Sequence, residues 1–197
     1  MKTMVGPNKQ FDQKIALKNA LDVFWVRGYE ATSMQDLVSA MGVNRASMYQ
    51  TYGNKGELFI AALDQYIDAS LVMIKEALEV SGSPIGNIDS LLKHLLMHSA
   101  ENNMSGCLMG NTAVELGPHN PLAAEKVRSF WMKLEELFNN TLERAIEQNE
   151  LRQDTDTNKL ATFINSTFQG LLIKTKVNVD KNNIVSDIDT LFSLIKK

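Results

Sequence analysis

The chain has 197 residues, 44% of them hydrophobic and 22% charged, with a formal net charge of −3 and only four prolines, a composition suited to a globular protein with room for long helices. No apolar stretch approaches the roughly 20 residues that a membrane-spanning helix needs, and residues 1–10 are polar, which argues against a secretory signal. A single cysteine excludes an intramolecular disulfide and a cysteine-based zinc site, so the expectation is a cytoplasmic, mostly helical protein.

Residues 1–60 carry a net charge of +2 and the remainder −5. That asymmetry fits an anionic partner that meets only the N-terminal part, although so small a difference also arises by chance. Phe11, Ile15, Leu17, Ala20, Leu21, Phe24 and Trp25 recur at helical spacing, and Gly28 stands where a left-handed cap would end that helix. Thr32 and Ser33 open a short helix ending near Met41, and Gly42 interrupts it. Asn44 is a good N-cap for a second short helix from Arg45 to about Gln50. Two short helices around a glycine match the helix-turn-helix motif.

A longer helix is expected over 55–78, with apolar positions Leu58, Ala62, Tyr66, Leu71, Ile74 and Leu78. Ser81-Gly82-Ser83-Pro84 breaks the pattern, and helical periodicity returns over 87–103, 105–116, 121–148, 157–176 and 185–196. Val177-Asn178-Val179 is the one candidate extended piece, and it makes no sheet. The fold expected is all-α: an N-terminal three-helix module with the helix-turn-helix over residues 1–54, and a larger helical body over 55–197.

A helix lying in the major groove must present small or donor-bearing side chains at its front, with hydroxyls, cations and backbone N–H groups on the flanking phosphates. The segment from Asn44 to Lys55 supplies these parts. Arg45 can reach guanine O6 and N7, and Ala46 lets the helix approach the bases. Ser47, Tyr49 and Thr51 bring hydroxyls, and Lys55 adds a cation at the start of the long helix. Thr32 and Ser33 open the preceding helix in the same way. The competing reading is a helical hairpin buried in an ordinary domain, which would gain nothing from polar groups at Asn44-Arg45-Ala46-Ser47.

The run Thr32-Ser33-Met34-x-Asp36-Leu37-Val38-x-x-Met41-Gly42-Val43-x-x-Ala46-Ser47-x-Tyr49-x-x-Tyr52-Gly53-x-Lys55-x-x-Leu58 resembles the N-terminal signature of the TetR/AcrR family of transcriptional regulators. The likeness covers about residues 11–63. Tyr52 stands where phenylalanine is usual, and Gly56 where glutamate is common. The resemblance implies a DNA-binding regulator, commonly a repressor. It implies a homodimer on a palindromic operator, with an effector pocket in the C-terminal body. By position, Arg45, Ala46 and Tyr49 would meet bases, while Thr32, Ser33, Ser47, Thr51 and Lys55 would hold phosphates. No cofactor or metal is implied.

In the body, the bulky and soft residues Met73, Met97, Met104, Met109, Phe130, Trp131, Leu134, Phe138, Phe163 and Phe168 are candidate pocket lining; the same spacing also describes plain core. Gly106-Cys107-Leu108-x-Gly110-Asn111-x-x-x-Glu115-Leu116 resembles a TetR subgroup in which some members sense electrophiles or oxidants through this cysteine. A helix N-terminus would favour the thiolate; the alternative for Cys107 is a small buried core residue. Gly106 and Gly110 mark a close helix–helix approach. Two broad apolar faces, Leu160 to Leu172 and Ile184 to Ile195, exceed what a monomer would expose and favour a four-helix dimer interface.

Other classes fit less well. His94 and His98 lie four apart, but no glutamate follows His94 to make a zinc-protease signature, and His119 stands alone. Phosphate-binding glycine loops and nucleophile elbows are absent from the sequence, so an enzyme is not expected. A helical protein-binding adaptor without DNA binding is the remaining alternative, disfavoured by Arg45, Lys55 and the hydroxyls around them.

Overall fold

Side-chain caps decide where most helices of this chain begin. A computed structural model describes residues 11–101, 106–177 and 180–196, and among these are nine α-helices and no strand. They are α1 Gln13–Arg27, α2 Met34–Met41, α3 Arg45–Tyr52, α4 Lys55–Leu78, α5 Pro84–Glu101, α6 Leu108–Glu115, α7 Pro121–Glu147, α8 Thr157–Thr175 and α9 Lys181–Ile195. The Asp12 carboxylate accepts from the N–H groups of Lys14 and Ile15 at 2.9 and 3.2 Å. Ser33 and Asp36 form a reciprocal capping box on α2, and Asn44, Asn120, Asp156 and Asp180 cap α3, α7, α8 and α9. The helices fall into two compact units, one ending at Gln65 and the other beginning at Tyr66, with α4 contributing to both.

In the first unit, α1 buries Ala16, Ala20, Leu21 and Phe24, the inward stripe of an amphipathic helix. Asn19 Nδ2 donates to the Ala40 carbonyl at 3.0 Å and ties α1 to α2. Phe24, Tyr29 and Phe59 make an aromatic cluster with centroid separations of 4.9 to 6.0 Å. The turn between α2 and α3 requires glycine at Gly42, whose φ of +66° is left-handed and whose N–H donates to Ser39 and Val38 carbonyls.

In the second unit, Val127, Phe130, Leu134, Phe138 and Leu142 form the buried spine of α7, which packs against α5, α6 and α8. Arg144 Nη2 donates to the Leu78 carbonyl at 2.7 Å, and Asn87 Nδ2 donates to Leu78 and Val80 carbonyls at 3.2 and 2.7 Å. These bonds satisfy the orphan carbonyls at the end of α4. None of the helices among the described residues is long and apolar enough to cross a membrane.

Four boundaries differ from the sequence reading. The helix α3 runs to Tyr52, because the Tyr52 ring packs 6.3 Å from Phe11 and its hydroxyl donates to the Gln13 carbonyl at 3.1 Å. The start of α5 is Pro84, where proline loses no helical hydrogen bond, and the Glu150 carboxylate accepts the Ile85 N–H at 3.0 Å. The start of α6 is Leu108, with Cys107 extended as the capping residue after Gly106 at φ +77°. Capping by Asp180 lets α9 begin at Lys181. Met104, Ser105, Asn178, Val179 and the Ile184 side chain lie outside the described residues.

Candidate nucleic-acid interface

Met48 is fully buried and anchors α3 to the first unit. Helical spacing then turns Arg45, Ala46, Tyr49 and Gln50 outward on the opposite side, and all four are exposed. At the front of α3, Asn44 Oδ1 accepts the Ser47 N–H at 2.8 Å. The first N–H groups of the helix have no intrahelical acceptor, so this end presents donors and the positive pole of the helix dipole. The Arg45 guanidinium carbon lies 5.7 Å from the Tyr49 ring centroid, within cation–π reach, and Tyr49 is 42% exposed. Ser47 is half-buried and Thr51 exposed.

Lys55, the first residue of α4, lays its Nζ 4.4 Å from the Tyr29 ring centroid and donates to the Glu30 carbonyl at 3.4 Å. These contacts aim the ammonium without neutralising it. Asn54 and Glu57 cap α4 reciprocally: the Asn54 N–H donates to Glu57 Oε2 at 2.8 Å, and the Glu57 N–H to Asn54 Oδ1 at 3.0 Å. At the start of α2, Ser33 is exposed but its hydroxyl is committed to Asp36 at 2.6 Å. Its hydroxyl and N–H, followed by the Arg27 guanidinium at 2.6 Å, hold the Asp36 carboxyl below the usual carboxylate range.

Thr32 belongs elsewhere. It is 1% exposed and its hydroxyl donates to the Gly28 carbonyl at 2.6 Å, so the side chain holds the turn after α1 and is withdrawn from any phosphate. Arg45, Ala46, Ser47, Tyr49 and Thr51 share one short helix, with Asn44 as its cap. Gln50 was missed by the sequence reading, although its spacing of four from Ala46 places it on the same outward side.

The pocket candidates of the second unit divide. Met109, Phe130, Leu134, Phe138 and Phe168 are buried core. Met73 and Phe163 are surface residues at 40% and 56% exposure, and Met97 and Trp131 are half-buried. Around Cys107 the structure gathers Tyr66, whose hydroxyl donates to the sulfur, and Phe130, whose ring centroid is 6.3 Å from that of Tyr66. Burial pushes the Cys107 thiol up, against the N–H groups of Gly110 and Met109 and the Tyr66 hydroxyl, which act in the opposite direction. Burial likewise raises the Tyr66 phenol strongly. A β-carbon built on Gly110 would lie 3.4 Å from Gln169 Oε1 and 3.6 Å from the Cys107 Cβ, which is the close approach that glycine allows. Gln169 Oε1 and Trp131 Nε1 are buried and have no hydrogen-bond partner among the described residues. Among the described residues, no group of three or more His, Cys, Asp and Glu side chains is arranged to hold a metal ion.

Comparison with known proteins agrees with this geometry. Residues 16–62 match the family model "Bacterial regulatory proteins, tetR family", and residues 84–189 match "Tetracyclin repressor-like, C-terminal domain". The chain is 34% identical to the uncharacterized HTH-type transcriptional regulator YezE of Bacillus subtilis (strain 168), over 97% of this chain and 100% of the relative. It is 29% identical to the HTH-type transcriptional repressor ComR of Escherichia coli (strain K12), covering 96% and 91% respectively. Among solved structures, a cysteine variant of the TetR-family regulator CifR, in complex with a 26-base-pair operator, is similar at 27% identity and a TM-score of 0.86, covering 96% of this chain and all of that one.

Proposed function

The chain belongs to the bacterial TetR family of DNA-binding transcriptional regulators, and from that premise we propose that it is a repressor that binds a palindromic operator as a homodimer and lets go on a chemical signal. The observation that carries the reading is the exposed outer side of α3 on a buried Met48 anchor. Residues 1–54 form the DNA-binding part in this reading, and 55–197 the effector-binding and dimer-forming part. Arg45 reads a base edge, with Ala46, Tyr49 and Gln50 beside it. Asn44, Ser47, Thr51 and Lys55 bring N–H groups, hydroxyls and a cation to phosphates, while Ser33, bonded to Asp36, fixes the front of α2 beside them. Repression is supported by the description of the ComR relative as a repressor.

The effector enters the second unit, where Trp131 Nε1 and Gln169 Oε1 offer an unused donor and acceptor. Met97, Phe130 and Phe168 supply apolar contact there, and Cys107 lines the site. A ligand acts by binding the DNA-fitting and non-fitting forms unequally. The second copy covers the outer side of α8, where Phe163 and Ile173 are exposed.

Selection of duplexes from a random pool by the purified chain tests the reading. A palindromic consensus is expected, bound with an affinity that falls steeply with salt. Arg45→Ala should cost about 1–3 kcal/mol per half-site and relax preference at one base pair; an equal loss on all sequences would move Arg45 to a phosphate. Failure to enrich any sequence would overturn the assignment.

A further inference from the structure

The Lys55 ammonium is held by two uncharged groups, and both come from a segment to which the operator reading gives no task. Its Nζ lies 4.4 Å from the Tyr29 ring centroid and 3.4 Å from the Glu30 carbonyl oxygen, both in the connection between α1 and α2. The ring has little freedom of its own. Its plane is 18° from that of Phe24 with centroids 6.0 Å apart, and the Phe59 ring meets it at 5.1 Å and 65°. Phe24 and Phe59 are buried, so Tyr29 is fastened to the core of the first unit while remaining half-buried itself, as Lys55 does. Glu57, two positions along α4 from Lys55, commits its carboxylate to the Asn54 N–H at 2.8 Å, and Gly56 between them brings no side chain.

We propose, on the reading of Lys55 as a phosphate contact, that Tyr29 is a positioning residue for DNA binding: its ring face holds the Lys55 ammonium at the start of α4 for a backbone phosphate. Lysine is a compact charge on a flexible four-carbon stem, and an unheld one loses rotamer freedom each time it docks. The negative face of an aromatic ring attracts the ammonium without neutralising it. The whole charge therefore stays available to a phosphate, as it would not beside a carboxylate. An ammonium has three N–H donors, so it keeps the ring and the Glu30 carbonyl while another N–H turns to a phosphate oxygen. Phosphate contacts carry no sequence information, so the benefit is equal on every duplex.

The test measures binding of the full chain to the selected operator and to a random duplex of the same length. Tyr29→Leu should weaken both by the same factor, about 2- to 5-fold per half-site, and Tyr29→Phe should match the parent. In a Lys55→Ala background, Tyr29→Leu should have no further effect. Pentafluorophenylalanine at position 29 keeps the shape of phenylalanine but removes the negative ring face. It should weaken binding as leucine does while the thermal midpoint stays near that of Tyr29→Phe, and it decides the matter if leucine disturbs the packing with Phe24 and Phe59. A loss confined to the operator would make Tyr29 a support for α3 and overturn the proposal. So would a loss that persists undiminished in the Lys55→Ala background. A parent chain that binds no duplex would overturn the operator reading and the role of Tyr29 together, whereas a loss in Lys55→Ala with none in Tyr29→Leu would overturn the role of Tyr29 alone.

Discussion

Arg45 and Tyr49 stand one turn apart on an exposed surface, where a long flexible cation would otherwise sample many rotamers. A ring centroid 5.7 Å from the guanidinium restricts that sampling and leaves the donors facing outward. An exposed cation–π pair contributes about 0.5–1 kcal/mol, so a double-mutant cycle with Arg45→Ala and Tyr49→Leu should give a coupling of that size on the selected operator. Tyr49→Phe should keep the coupling, while additivity within about 0.3 kcal/mol would show that the two side chains act separately. Cys107 makes a second residue-scale test. Its thiol is raised mainly by burial, so the protonated form dominates at neutral pH, and the stability it lends is present below the unfolded thiol value and lost as pH rises through the folded one. Alkylation by iodoacetamide should be slow at neutral pH and accelerate only above the ordinary thiol range. Tyr66→Phe, which removes a donor to sulfur, should slow it further. A rate already at its plateau at neutral pH would mean that the thiolate is present there.

The junction between α3 and α4 depends on a glycine for two separate reasons. Gly53 has φ +73°, and a β-carbon there would fall 1.8 Å from Glu57 Oε2, the carboxylate that caps Asn54. Gly42, at φ +66°, has open space around it. Gly42→Ala should therefore cost about 1–2 kcal/mol of unfolding free energy from backbone strain alone. Gly53→Ala should cost more, because its ψ of −130° lies outside the left-handed α region that Gly42 occupies and because the cap is displaced; in a Glu57→Ala background, chemical denaturation should find the difference reduced but still present. Elements with local causes were legible in the sequence: the caps Ser33 and Asn44, the glycine stops, and the outward positions Arg45, Ala46 and Tyr49. What could not be read depends on distant partners. The last turn of α3 needs Phe11 and Gln13, and the first turn of α5 needs Glu150. Thr32 looked like a surface cap because nothing in its neighbours reveals that its hydroxyl bonds back to Gly28. Likewise, helical spacing grouped Phe163 with Phe168, and only tertiary packing sends one outward and the other inward.

At the scale of the whole molecule, the proposed operator recognition requires two copies that bind together. Helix α8 uses Ile164, Phe168, Leu171 and Leu172 to pack within its own chain, yet Phe163 and Ile173 remain 56% and 60% exposed on its other side, with open space at Gly170 between them. Leu194 of α9 is exposed as well. Large apolar side chains around a small residue let a second helix come close. Charges placed there, Phe163→Glu with Ile173→Glu, should change the stability of the isolated chain by no more than about 0.5 kcal/mol, since neither position is core. Sedimentation should then show a monomer. Linked half-sites gain about 10²–10⁴ in affinity over either alone, so binding to the full palindrome should fall by that factor while binding to a single half-site stays the same. A variant that remains dimeric would move the second copy to another surface. A monomer that holds the full operator as tightly as the parent would remove the need for paired recognition helices altogether.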